Sequence, residues 1–114
     1  MITLNIKPLS VNSAWKGKRY KSKAYDAYTK YIGLLLNTEG KNVVIPEGNL
    51  FIKFVFGFSN AAADLDNPIK PILDLLQQRF SFNDSRVYRI EVEKQIVKKG
   101  SEFVKFQINK YDIL

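Results

Sequence analysis

Nine consecutive residues, Leu50 to Phe58, constrain this chain more than any other segment. Leu50, Ile52, Phe54, Phe56 and Phe58 occupy one phase of a period-two pattern, and Phe51, Lys53, Val55 and Gly57 occupy the other. A run that is apolar in both phases reads as a strand with both faces covered, which places it at the centre of a sheet. With 114 residues the chain has material for one domain, residues 1–114, built around that strand.

The flanking patterns supply the other elements. Ile2, Leu4 and Ile6 alternate with Thr3 and Asn5 as a short strand that Pro8 ends. Tyr25, Tyr28, Ile32, Leu35 and Leu36 recur at helical spacing after Ser22, a residue suited to an N-cap, and the helix closes near Gly40. A second helix starts around Asn67 with Pro68 in its first turn, and Ile69, Ile72, Leu73, Leu76 and Phe80 form its apolar stripe. Pro71 falls early enough in that helix to be tolerated. Tyr88, Ile90, Val92, Lys94 and Ile96 form one phase of a strand. After a turn at Lys98–Ser101, Val104, Phe106 and Ile108 form another, and the pair reads as an antiparallel hairpin. The expected fold is α+β, in the order β-α-β-α-β-β, with two helices on a mixed or antiparallel sheet of about four strands.

The chain has no Cys and no His, which removes thiol redox chemistry, Cys/His zinc sites and nucleophile–histidine catalysis. Catalysis would have to use carboxylates, Lys, Arg, Tyr or hydroxyls. The 18 Lys and Arg against 11 Asp and Glu leave a net charge of +7, which suits a polyanion partner such as nucleic acid. Lys16, Lys18, Arg19, Lys21 and Lys23, interleaved with Trp15 and Tyr20, form a basic loop suited to phosphate contacts and base stacking, or simply to solvent. No apolar stretch reaches the roughly 18–20 residues of a membrane span and no leader pattern opens the chain, so the expected location is cytoplasmic. A chain this short leaves much of its surface exposed, which a homodimer would relieve.

Three aspartates carry the chemistry. Asp64 and Asp66 lie between the central strand and the second helix, and Asp84 lies just after that helix, where the chain returns to the sheet. Gathered together they would make an oxygen cage of the kind Mg²⁺ takes. Such a cation polarises a phosphoryl oxygen and activates water. Lys70 sits one helical turn from Asp66 and from Asp74, placed to stabilise charge on a phosphate. Each feature also has a plainer role: Asp64 and Asp66 as helix caps or dipole partners, Lys70 with Asp74 as a surface ion pair, and Asn83-Asp84 as a turn.

The segment Asp64-Leu65-Asp66-Asn67-Pro68-Ile69-Lys70-Pro71-Ile72-Leu73-Asp74-Leu75-Leu76, followed by Asn83-Asp84-Ser85-Arg86-Val87, resembles the RusA family of Holliday junction resolvases. That family's pattern is D-x-D-N-x-x-K-x-x-x-D-x-L, then D-D or N-D with a nearby Val. A weaker likeness runs through Pro8, Ser10, Asn12 and the basic stretch to Tyr25. The resemblance implies a homodimeric, Mg²⁺-dependent endodeoxyribonuclease of bacterial, phage or prophage origin that nicks four-way junctions symmetrically in recombination and repair. It assigns Asp64, Asp66 and Asp84 as the catalytic metal set and Lys70 as the functionally important lysine, and leaves open whether Mn²⁺ can take the place of Mg²⁺. Asn67 is left as a helix cap and Asp74 as support for Lys70. Asn83 stands where some members have Asp.

Three other readings fit the residues. A non-catalytic nucleic-acid-binding protein would use the basic loop alone. A metal nuclease could act on flaps, forks or RNA, since shape recognition leaves no short motif. A small-molecule phosphohydrolase would use the carboxylates but leave the charge excess without a role.

Overall fold

The computed structural model describes residues 1–10, 15–16 and 20–112. Its main sheet contains β1 (Ile2–Leu4), β4 (Leu50–Phe58), β5 (Val87–Ile96) and β6 (Phe103–Lys110), in the spatial order β1-β6-β4-β5. Two helices, α1 (Lys23–Thr38) and α2 (Ile69–Phe80), complete the α+β architecture. A small separate ribbon pairs β2 (Trp15–Lys16) with β3 (Tyr20–Lys21), so part of the segment read as a basic loop is a hairpin.

The two phases of β4 meet different surroundings. Leu50, Ile52, Phe54, Phe56 and Phe58 are buried in the core with Ile32 and Leu36 of α1, Ile72 and Leu76 of α2, and Val104 and Phe106 of β6. Burying each side chain of this size is worth about 1.5–3 kcal/mol. On the opposite face the aromatic surface is shielded by cations. Lys53 and Arg89 lie 5.3 and 5.0 Å from the Phe51 ring centroid, and Lys105 lies 4.9 Å from that of Phe103.

The strand at the centre is paired on both edges, in parallel with β5 and antiparallel with β6. The expected hairpin between β5 and β6 is therefore absent; β4 lies between them. Crossing over through α2 delivers β5 parallel to one edge of β4, as a connection of that length permits. The most apolar strand then requires a partner on its other edge, and β6 fills it. The sheet is mixed.

Both helices follow their spacing with local adjustments. Ser22 caps α1, its Oγ accepting from the Tyr25 amide at 3.1 Å, and Tyr25, Tyr28, Ile32 and Leu36 are buried. The two tyrosines are thus core residues. In α2, Ile72, Leu75 and Leu76 are buried while Leu73 is only partly so; Leu75 was not in the expected stripe. The helix starts at Ile69 rather than Asn67, with Pro68 at the cap position and no side-chain cap bond. Ser81, in the left-handed conformation (φ 56°), ends it.

Gly57 lies opposite Phe103 in the β4–β6 register, and a Cβ built there would sit 2.4 Å from the Phe103 ring. Gly57→Ala should destabilise the fold by about 1–3 kcal/mol through overpacking. Gly33→Ala, in the interior of α1 with nothing within 4 Å of the new methyl, should stabilise it by about 0.5–1 kcal/mol. Urea unfolding of the two variants checks both signs.

Candidate functional site

The site is built at the end of β4, where the chain leaves the sheet and enters α2. Residues 59–68 form the connection and carry Asp64, Asp66 and Asn67; Asp64 and Asp66 are exposed. The stem of this loop is tied to its neighbours. The Val97 amide donates to Phe58 O at 2.8 Å, and Ser59 Oγ donates to Glu102 Oε2 at 2.9 Å. Bonds from its own backbone amide, from Ser59 Oγ and from the Gly100 amide hold the Glu102 carboxyl below the usual range.

Within the loop, Asn60 folds the chain on itself. Its Oδ1 accepts from the Ala62 amide at 2.9 Å and its carbonyl accepts from the Ala63 amide at 3.1 Å. Lys94 reaches across from β5, and its Nζ donates to Ala61 O and Ala63 O, each at 2.6 Å. Asn67 does not cap the helix as expected; its Nδ2 donates to Asp64 Oδ2 at 3.0 Å and orients that carboxylate. The amide a cap would have served is met differently: Ile69 N donates to Asp66 O at 3.1 Å.

Lys70 lies at the start of α2 and pairs with Asp74 at 2.9 Å, as their spacing anticipated. Asp66 falls outside the helix, so the expected three-residue stripe shortens to that pair. The hydrogen bond to Asp74 and that residue's charge push the Lys70 ammonium above the ordinary lysine range, and the charge of Asp84 adds in the same direction.

Asp84 opens a 3₁₀ turn, Asp84–Arg86, whose position is set by Asn83, which the turn reading named, and by Gln77 and Arg86, which pattern reading left without a role. Gln77 of α2 accepts from the Asp84 amide through Oε1 at 2.9 Å. Asn83 caps the turn, its Oδ1 accepting from Ser85 N at 2.9 Å. Arg86 fastens the far end, donating to Gly48 O at 2.9 Å and to Pro46 O. The Asn-Asp turn reading and the carboxylate reading are therefore compatible: Asn83 makes the turn, and Asp84 is left exposed.

Among the described residues, no group of three or more acidic side chains is gathered closely enough to hold a metal ion. In the absence of a cation, repulsion between carboxylates opposes such a gathering. Of the basic segment, Lys23 is exposed at the first position of α1. Lys18 and Arg19, with the side chains of Lys16, Lys21, Trp15 and Tyr20, lie outside the described residues.

Beside Asp64 and Asn67 a groove of about 770 Å³ opens, walled in part by Tyr28, Tyr31, Phe58 and Asn60. Burial raises the Tyr28 hydroxyl well above its ordinary pKa, so Tyr28 meets the groove as a neutral phenol. No helix among the described residues is long and apolar enough to cross a membrane.

A family model described as "Endodeoxyribonuclease RusA" matches residues 7–107, most of the chain and all of the loop, helix and turn just described. No curated protein matches the chain closely enough to count as a relative.

The Lys70–Asp74 pair joins side chains that are 59% and 25% exposed, so its contribution to stability is small. Asp74→Asn should change unfolding free energy by less than about 1 kcal/mol. It should also lower the Lys70 pKa toward the ordinary lysine value, because the two interactions that raise it most both come from Asp74. NMR titration of the Lys70 side chain in the two proteins reads this shift.

Proposed function

Because the chain belongs to the RusA family of endodeoxyribonucleases, enzymes that hydrolyse DNA, we propose that it resolves four-way DNA junctions by paired, Mg²⁺-dependent nicks made by a homodimer. The observation that carries the site assignment is topological. Asp64 and Asp66 lie where the chain enters α2, Lys70 lies in the first turn of that helix, and Asp84 opens the 3₁₀ turn where the chain leaves it. Both acidic segments thus flank one crossover helix.

The donor set suits a hard divalent cation. Asp64, Asp66 and Asp84 offer exposed carboxylate oxygens, the chain has no competing His or Cys, and none of the three is in a salt bridge among the described residues. In this reading these three residues hold Mg²⁺, with Mn²⁺ as a substitute. When bound, the cation polarises a phosphoryl oxygen and lowers the pKa of the attacking water. Asn67 holds one oxygen of Asp64 and leaves the other free. Lys70, a protonated ammonium held at 2.9 Å by Asp74, offsets the negative charge that builds on the phosphate. Lys16, Lys18, Arg19, Lys21 and Lys23 contact backbone phosphates along the junction arms.

A homodimer suits this task on symmetry grounds: a two-fold axis presents two equivalent sites to the two equivalent strands of a junction. The edge position of β5 and the exposed Tyr88, Ile90 and Ile96 it carries are consistent with a chain that associates.

A labelled four-way junction and a linear duplex of matching sequence, each incubated with Mg²⁺ or EDTA, test the proposal. Symmetric nicks confined to the junction and abolished by EDTA are expected. Asp84→Asn should lower the nicking rate by at least about 100-fold while junction binding persists. Tight binding without scission in either condition would instead favour a non-catalytic nucleic-acid-binding protein. Replacing Lys16, Lys18, Arg19 and Lys21 by serine should reduce the slope of log affinity against log salt by roughly one per phosphate contact removed, read by fluorescence anisotropy across a salt series.

A further inference from the structure

Lys94 occupies a position at which the strand pattern calls for an apolar residue. In β5 it shares a phase with Ile90, Val92 and Ile96, and it pairs in register with Phe56 of β4. Its stem passes near Phe58, with Nζ 6.0 Å from the ring centroid, and the ammonium ends between two carbonyls of the Asp64 loop, Ala61 O and Ala63 O, at 2.6 Å each. A charged donor placed between two backbone acceptors makes short, strong bonds to both.

The middle of the loop has few other ties: Ala63 packs against the core, and the bonds of Phe58 and Ser59 hold only the stem before it. Residues 61–63 are Ala-Ala-Ala, with no polar side chains of their own, and Asn60 folds the turn only upon itself. Among the described residues, the polar contact that joins residues 61–63 to the sheet is made by Lys94. Asp64 follows directly, and its carboxylate is then oriented by Asn67. The two contacts act in series: Lys94 sets the backbone from which Asp64 projects, and Asn67 sets the rotation of its side chain.

We propose that Lys94 is a positioning residue for the divalent-cation site, pinning the Ala61 and Ala63 carbonyls so that Asp64 is held ready to bind the cation. This rests on the reading of Asp64 as a cation ligand. Lys94→Met keeps the length and packing of the stem and removes both bonds; Lys94→Arg keeps charged donors.

The experiment follows the backbone amides of Asp64 and Asp66 by NMR during MgCl₂ titration of the whole protein. Junction nicking is measured in parallel over the same Mg²⁺ range. In Lys94→Met, the Mg²⁺ concentration for half-saturation at Asp64 should rise about 10-fold, as loss of a partner behind a metal ligand typically causes. Nicking should fall at limiting Mg²⁺ and recover at high Mg²⁺, and Lys94→Arg should restore the wild-type half-saturation in part. A folded Lys94→Met protein with the wild-type midpoint overturns the role of Lys94. Should that variant fail to fold, Lys94→Leu, which also lacks a donor, takes its place, and an unchanged midpoint there overturns the proposal equally. A wild-type protein whose Asp64 amide does not respond to Mg²⁺ overturns the cation site itself, and the proposal with it, so the two failures are distinguishable.

Discussion

The pairing of β4 on both of its edges is the constraint from which the rest of the molecule follows. A strand whose core-facing phase is Leu50, Ile52, Phe54, Phe56 and Phe58 cannot stand at the rim of a sheet without exposing both apolar surface and unpaired backbone. Parallel β5 closes one edge and antiparallel β6 the other. The parallel partner requires a crossover, and α2 is that crossover. The two ends of α2 are therefore the places where the chain leaves the sheet and returns to it. Asp64 and Asp66 lie at the first of these, and Asp84 at the second.

This arrangement divides the labour between rigid and exposed parts. The aspartates are exposed, but each segment that carries them is tied to regular structure. Lys94 and Glu102 secure the first loop to β5 and to the start of β6, while Gln77 and Arg86 secure the 3₁₀ turn to α2 and to residues 46–48. Most of these bonds end on backbone atoms, which fixes the path of the chain, and among the described residues none of the three carboxylates is in an ion pair. Without a cation, carboxylates that close in on one another repel, which accords with acidic side chains that are not gathered among the described residues. Lys70, paired with Asp74 at 2.9 Å, is the cation that the chain itself places at the start of α2.

Legibility from sequence varied with how local the physics was. The N-cap at Ser22, the buried stripe of α1 and the Lys70–Asp74 pair depend on residues three and four apart, and all three were readable before any coordinates. The centrality of β4 was readable because a strand that is apolar in both phases has few alternatives. The β5–β6 hairpin was misread because the turn at Lys98–Ser101 looks the same whether the strands beside it pair with each other or straddle a third. Asn67 was misread as a cap because its position just before a helix is also within reach of Asp64. Lys94 did leave a signal, a lysine in the core-side phase of a strand, but the pattern alone cannot say which carbonyls it meets.

What the sequence determined by itself was the inventory and the local grammar: a nuclease motif from Asp64 to Val87, a chain without thiols or imidazoles, two helices and a strand that must be central. The motif follows from its resemblance to a known family, and the rest from residue chemistry and from periodicities of two and 3.6, which need no knowledge of distant contacts. What only the tertiary structure decided was strand order, the mixed character of the sheet, and the contacts of Lys94, Gln77 and Arg86 that locate the acidic segments. Those bonds join residues from 7 to 40 positions apart, and their partners are mostly backbone carbonyls and amides, which every residue carries and no sequence pattern marks.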